Sequence, residues 1–171
     1  MSARRSPQSN RDQIDVCIET VVVGQLCQVG TLFHAVANSG SVFSFNYDPA
    51  WLAHPKAFQI DPDLQLHQGE AYPNREGAFG IFLDSAPDRW GRILLDRREI
   101  LQARTENRAP RSLNDWDYLL GVYDGNRMGA LRFRRDHGSV FLDDDPTYAA
   151  PTITSLRELQ AASLALENPD A

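Results

Sequence analysis

The chain has 171 residues, of which 42% are hydrophobic and 23% are charged, as is typical of one ordinary globular domain. Its formal net charge of -6 argues against a dedicated nucleic-acid binder, which normally carries a strong basic excess. No apolar run approaches the roughly 18 residues of a membrane span, and no apolar stretch follows the charged N-terminus as in a secretory signal. We therefore expect a cytoplasmic protein that contacts neither a membrane nor nucleic acid directly.

The N-terminal part of the chain predicts an antiparallel sheet. Residues 1–13 are polar and predict a disordered leader. β-Branched residues are frequent over Val16–Val23 and Cys27–Phe33, on either side of a glycine-containing break, which predicts a β-hairpin. Strict alternation of apolar and polar residues over Val42–Tyr47 predicts a third, half-buried strand.

The only two cysteines, Cys17 and Cys27, lie in these predicted strands, and the four histidines are scattered. A disulfide framework or a zinc site would need more cysteines or a Cys/His cluster at short spacing. We expect both thiols to be reduced, small buried hydrophobes, and we predict no metal site.

The central stretch Phe79–Leu101 predicts two helices separated by Pro87, because a proline inside a helix removes a hydrogen bond. In the second helix, apolar residues recur at three- and four-residue steps and predict one buried stripe, formed by Trp90, Ile93, Leu94, Ile100 and Leu101. Asp88, Arg92 and Asp96 fall on another face, where four-residue spacing suits ion pairs along the helix.

The C-terminal part predicts further elements of both kinds. A capping box over Ser112–Asp115 leads into a helix over Trp116–Val122. Alternation predicts a strand over Ala130–Arg134, which can pair with Ser139–Leu142 across a turn. A last helix is predicted over Thr154–Glu167.

These elements predict an α+β fold, with an antiparallel sheet or a small, partly closed barrel of about five to seven strands packed with three to four helices. The predicted domain covers residues 14–142, and residues 143–171 are predicted to form a linker and a C-terminal helix.

Common catalytic signatures are missing from the sequence: it has no Walker loop, no Gly-x-Gly-x-x-Gly, no His-Glu-x-x-His and no Gly-x-Ser-x-Gly. Asp84, Asp88 and Asp96 could be considered as an acid/base set. However, Asp84 and Asp88 flank the helix break close to Arg89 and Arg92, and capping and ion pairing explain them better.

Trp90 has two interpretations. Its helical phase favours packing in the core, as we also expect for Trp51 and Trp116, whereas its arginine neighbours are typical of a binding hot spot. The turn over Asp124–Gly129 resembles a phosphate-binding loop only superficially, and a tight structural link is the favoured interpretation. The candidate partner-binding residues are Asp88, Arg89, Trp90 and Arg92, with Arg127 as a possible neighbour.

Six blocks of the sequence occur in a characteristic order. They are Val29-Gly-Thr-Leu32, Phe43-x-Phe-x-Tyr-Asp-Pro-Ala-Trp-Leu52, Asp63-Leu-Gln-Leu66, Phe79-x-x-Phe-Leu-Asp-Ser-x-Pro-Asp-Arg-Trp-Gly-Arg92, Asp117-Tyr-Leu-Leu-Gly-Val122 and Arg127-Met-Gly-Ala-Leu131. Together they resemble the N-terminal subdomain of HipA-family serine/threonine kinases, the toxins of type II toxin–antitoxin systems.

The resemblance implies that the ATP-binding loop, the catalytic aspartate and the metal-binding aspartate of such kinases lie downstream of the matching region. We therefore assign no catalytic, cofactor-binding or metal-binding residue. Phosphorylation of a hydroxyl needs a phosphate cradle, magnesium ligands and a base, so no kinase activity is expected from these 171 residues alone.

Three functions remain open from the sequence. The chain could be the N-terminal piece of a longer HipA-like kinase, which packs on the kinase core in cis and contacts a DNA-binding antitoxin of the HipB type. It could instead be a separately encoded partner, as in tripartite HipBST-type systems, which docks on such a kinase in trans and inhibits it. An independent small enzyme is the third alternative, and it lacks a recognisable polar constellation.

Overall fold

The computed structural model describes residues 11–37, 40–75 and 77–142. The strands are β1 (Arg11–Ile18), β2 (Cys27–Ala37), β3 (Gly40–Tyr47), β4 (Glu70–Ala71) and β5 (Leu131–Arg134). The helices are α1 (Pro49–Leu52), α2 (Gly80–Asp84), α3 (Arg89–Thr105) and α4 (Asp115–Leu120), followed by a single 3-10 turn at Asp124–Asn126. Residues 1–10 and the helix predicted over 154–167 lie outside the described residues.

The five strands of the described part form one antiparallel sheet in the order β4-β3-β2-β1-β5. Its central strand is β2, where Leu32 lies between Ile14 of β1 and Phe45 of β3, and all three side chains are fully buried. The predicted α+β class is confirmed. The sheet is open rather than a closed barrel, because β4 and β5 are its two edges.

Several predicted boundaries are wrong. Arg11–Gln13, which the sequence assigned to a disordered leader, begin β1, since they pair with Phe33–Ala35 of β2. The Arg11 guanidinium also pairs with Glu70 and donates to Ser44 Oγ at 2.7 Å. β1 ends at Ile18 instead of Val23, and the residues that follow form a turn. The predicted strand Ser139–Leu142 is reduced to one hydrogen bond, in which Leu142 N–H donates to Phe133 C=O at 2.8 Å.

The capping box of α4 is also displaced from its predicted position. Asn114 Oδ1 accepts a hydrogen bond from Asp117 N–H at 3.1 Å, and the Asp117 carboxylate accepts one from Asn114 N–H at 3.0 Å. The helix therefore begins at Asp115, and Ser112 lies in the preceding loop.

Aromatic side chains fill the space between the sheet and the helices. Trp51 and Trp116 are 1% and 7% exposed, as predicted for core residues. The hydroxyl of Tyr47 donates to Leu64 C=O at 3.0 Å and accepts from Ile60 N–H at 3.2 Å. These bonds hold the irregular segment that follows α1 against the sheet.

Buried polar groups fix the position of α2. The Asp61 carboxylate accepts from Ile81 N–H at 2.8 Å and from Asp63 N–H at 2.9 Å. It thereby satisfies a donor in the first turn of α2, whose own N-cap residue Phe79 provides no side-chain acceptor. Phe79 and Phe82 are consequently held in the core.

Both cysteine thiols are free. Cys17 is buried as predicted, and burial raises the pKa of its thiol, whereas Cys27 is only half-buried. None of the helices in the described ranges is both long and apolar enough to cross a membrane.

Gly30 allows β2 and β3 to approach each other closely. A Cβ atom at this position would lie 2.2 Å from Asn46 O and 2.5 Å from Phe45 Cζ. We expect Gly30→Ala to lower the free energy of unfolding by about 3 kcal/mol or more, because a backbone oxygen cannot move without breaking the sheet. Urea unfolding followed by far-UV circular dichroism measures this loss.

Val36→Ala is the matched control, since Val36 lies on the same strand and is largely exposed. Its cost should stay within about 1 kcal/mol. If Gly30→Ala had the same midpoint of urea unfolding as the wild type, the close approach of the two strands would be contradicted.

Candidate partner-binding site

The corner that begins α3 is built by Pro87, Asp88 and Gly91. Asp88 is the N-cap, and its Oδ1 atom accepts from Gly91 N–H at 2.8 Å. A Cβ on Gly91 would lie 2.7 Å from Pro87 Cβ, so the absence of a side chain permits the tight turn. The break at Pro87 and the capping role of Asp88 are therefore confirmed.

The inner face of α3 is polar. Arg92 Nη1 lies 2.9 Å from Asp115 Oδ1, and its guanidinium lies over the Tyr118 ring, 4.7 Å from the ring centre. The Tyr118 hydroxyl donates to Asp96 Oδ1 at 2.9 Å. Arg92 and Asp96 thus bond to α4, and the expected ion pairs of Arg92 with Asp88 and Asp96 along α3 do not form.

Glu99 is a second polar anchor one turn further along α3. Its side chain is 6% exposed, and it pairs with the Arg108 guanidinium while accepting from Arg111 N–H at 2.9 Å. These hydrogen bonds, first of all the one from Arg108, lower the pKa of Glu99 to about 2 and raise that of Arg108. The carboxylate therefore stays charged although it is buried.

The outer face of α3 is apolar. Trp90, Leu94 and Leu101 are 62%, 48% and 61% exposed, and Ile100 is 40% exposed. At 3.6 residues per turn, Trp90, Leu94 and Leu101 share a face opposite Glu99. The prediction of a buried stripe is wrong for these four residues, whereas Ile93 is half-buried, because polar residues occupy the face that contacts the rest of the domain.

A groove of about 790 Å³ runs along this apolar face. Pro87, Leu94 and Leu101 line one side, and Val122 and Tyr123, which follow α4, line the other. Arg97, Arg98 and Glu106 also line the groove, and Arg104 lies outside the lining, seven residues after Arg97 on α3. Sequence reasoning missed this groove, although the same three- and four-residue periodicity marks its α3 side.

The structure places the five candidate residues in three different situations. Asp88, Arg89 and Trp90 are exposed together at the first turn of α3. Arg92 is half-buried against α4. Arg127 is removed from this corner, since its guanidinium bonds to backbone carbonyls inside the domain.

The contacts of Arg127 tie two helix ends to the sheet. Nη1 donates to Ser85 C=O at 3.1 Å and to Leu119 C=O at 2.9 Å, and Nη2 donates to Val122 C=O at 3.0 Å. The guanidinium carbon lies 4.5 Å from the centre of the Phe133 ring. The residues before Arg127 form the single 3-10 turn Asp124–Asn126, and Gly129, which follows it, has a φ of 86°.

The described part is thus a small α+β module with an open antiparallel sheet and one helix whose apolar face is exposed. The family model of the HipA N-terminal domain matches residues 14–134, and the chain belongs to this family. The matched model is that of the N-terminal domain and not of the kinase core. No curated protein matches the chain.

Arg127→Met should lower the free energy of unfolding by about 2 kcal/mol, because carbonyl oxygens at the ends of α2 and α4 lose their donor. Denaturant unfolding measures the effect. Arg89→Met is the control: Arg89 is exposed and forms no ion pair within the described residues, so its change should stay within about 0.5 kcal/mol. Equal stability of the two variants would contradict an internal role for Arg127.

Glu99 predicts a pH dependence of stability. Its folded pKa of about 2 lies below the ordinary value of 4.5, so its stabilising contribution is complete above about pH 4.5 and is lost as the pH falls toward 2. The free energies of unfolding of the wild type and Glu99→Gln should therefore converge between these pH values. Arg108→Gln should remove the same pH dependence. If the free energies of unfolding of the wild type and Glu99→Gln changed in parallel with pH, the stabilising role of Glu99 would be contradicted.

Proposed function

We propose that this chain is the non-catalytic N-terminal module of a HipA-like toxin–antitoxin kinase. In this function it packs on the kinase core and contributes to contacts with an antitoxin of the HipB type. Membership of the HipA N-terminal domain family supports the kinase context. The exposed apolar face of α3, which begins at Trp90, is the observation that carries the packing role.

Trp90 is the strongest candidate anchor. A buried aromatic side chain removes about 150–250 Å² from water, and tryptophan is enriched among interface hot spots. Trp90 is 62% exposed in the first turn of α3, where Asp88 and Arg89 offer polar contacts on either side. An apolar centre with a polar rim is the usual composition of an interface hot spot.

The polar inner face of α3 makes this site rigid. Arg92 is held by Asp115, and the first turn is fixed by the Asp88 cap. A rigid anchor loses little side-chain and backbone entropy on binding, so more of the buried area contributes to affinity. Arg92 therefore acts as a positioning residue for Trp90 in this proposal.

The same face can serve in cis or in trans. In the alternative function, the chain is a separately encoded partner of the HipBST type that docks on a HipA-like kinase and inhibits it. Both functions need the same contact with the kinase core, and they differ in what the contact does to phosphorylation.

Trp90→Ala should weaken binding to a cognate HipA-like kinase core that lacks its own N-terminal module by about 30-fold, corresponding to about 2 kcal/mol. Arg89→Ala should weaken it about fivefold. Isothermal titration calorimetry measures both, with circular dichroism to check the fold. Val21→Ala is the control, because Val21 is 98% exposed in the turn that follows β1, outside α3 and its groove, and the affinity of this variant should equal that of the wild type.

Autophosphorylation of the kinase core with ATP, with and without the chain, separates the two contexts. Binding with inhibition supports the partner in trans, and binding without inhibition supports the packing module. Unchanged affinity of Trp90→Ala and Arg89→Ala in folded protein would refute the site, and ATP turnover by the isolated chain would refute both functions.

A further inference from the structure

The groove of α3 lies next to the corner at Trp90 and runs along the helix. α3 has 17 residues and is about 25 Å long, and Leu94 and Leu101 are seven residues apart, which corresponds to about 10.5 Å along one face. Val122 and Tyr123 close the groove on the other side. Two apolar contact points at a two-turn spacing match the side chains that one face of a second helix presents.

The charge beside the groove is positive, in contrast to the net charge of -6 of the whole chain. Arg97 and Arg104 are exposed and have the same seven-residue spacing as the two leucines. Neither arginine forms an ion pair with any residue in the ranges 11–37, 40–75 and 77–142. The nearby Glu106 is engaged by Arg108 at 2.6 Å and does not neutralise them.

We propose that the groove binds an acidic amphipathic helix of another polypeptide. Its apolar side chains would occupy the groove at Leu94 and Leu101, and its Asp and Glu side chains would pair with Arg97 and Arg104. This inference rests on the proposed function and deepens it, because it states the chemistry of the partner segment that covers α3.

The physical chemistry favours this occupant over nucleic acid. A phosphate backbone is bound by several basic and polar contacts, whereas this surface has an apolar floor with arginines at its margin. Helix-in-groove recognition uses apolar anchors at helical spacing, and peripheral charges of opposite sign then select the partner.

Trp90 does not line the groove, but it precedes Leu94 by four residues on the same face of α3 and therefore reports a helix that lies along this face. It is 62% exposed, whereas Trp51 and Trp116 are 1% and 7% exposed, so covering the α3 face changes the environment of Trp90 alone. The probe is a blocked synthetic peptide with Leu at helical spacing and Glu at the remaining positions. A second peptide carries Lys in place of every Glu, and Trp90→Phe verifies the origin of the signal.

The full chain should bind the Glu peptide with a saturable blue shift of Trp90 emission, and should bind the Lys peptide at least about tenfold more weakly. The double variant Arg97→Glu/Arg104→Glu should lose about tenfold in affinity for the Glu peptide and prefer the Lys peptide. The matched control is Lys56→Glu/Arg75→Glu, which changes the net charge equally at exposed positions outside the groove and should leave both affinities within twofold.

Absence of a saturable shift, or equal binding of the two peptides, would overturn the inference. A blue-shifted Trp90 emission in the free chain would also overturn it, since the outer face of α3 would then be covered by the chain itself or, if the shift depends on concentration, by a second copy. Kinase-core binding that depends on Trp90 but is unaffected by Arg97→Glu/Arg104→Glu sinks this inference alone. Peptide binding without kinase-core binding sinks the proposed function alone.

Discussion

The polar contacts between α3 and the rest of the domain determine which face of α3 is exposed. Arg92 pairs with Asp115, Asp96 accepts from Tyr118, and Glu99 is held by Arg108 and the Arg111 N–H. Because these groups need partners when they leave water, they occupy the side of α3 that contacts the domain. The helix consequently directs Trp90, Leu94 and Leu101 outward.

An exposed stripe of this kind is costly for a domain that functions alone and useful for a domain that is completed by another protein surface. The chain belongs to the HipA N-terminal domain family. The proposed docking on a kinase core accounts for a helix whose polar face packs on its own domain and whose apolar face is exposed. In this proposal, Trp90 is the apolar anchor in the first turn of α3, and Arg97 and Arg104 supply positive charge further along the helix. The two proposals, a kinase core as the partner and an acidic amphipathic helix as its contacting segment, therefore rest on the same face of α3.

Local patterns predicted much of the fold. Alternation in Val42–Tyr47 and the break at Pro87 identified β3 and the boundary between α2 and α3 correctly. The two-residue strand β4 depends on pairing with Phe45 and Asn46 of β3, and Arg11 at the start of β1 forms an ion pair with Glu70; no local pattern records these long-range contacts. The apolar stripe of α3 was predicted from the periodicity of its residues, but periodicity does not show which face of a helix is buried. The buried face is determined by the hydrogen-bond partners of Arg92, Asp96 and Glu99, which lie 9 to 23 residues away in sequence. Arg127 was associated with Trp90 by residue type, whereas its hydrogen bonds belong to the helix ends.

The central claim is that the outward face of α3 is the surface that a kinase core covers. Acrylamide quenching of Trp90 fluorescence, measured on the full chain with and without a cognate HipA-like kinase core free of tryptophan, tests it most directly. The account predicts that quenching of Trp90 falls toward that of a buried indole when the kinase core saturates the chain. A complex that forms while Trp90 stays as accessible to quencher as in the free chain would contradict it.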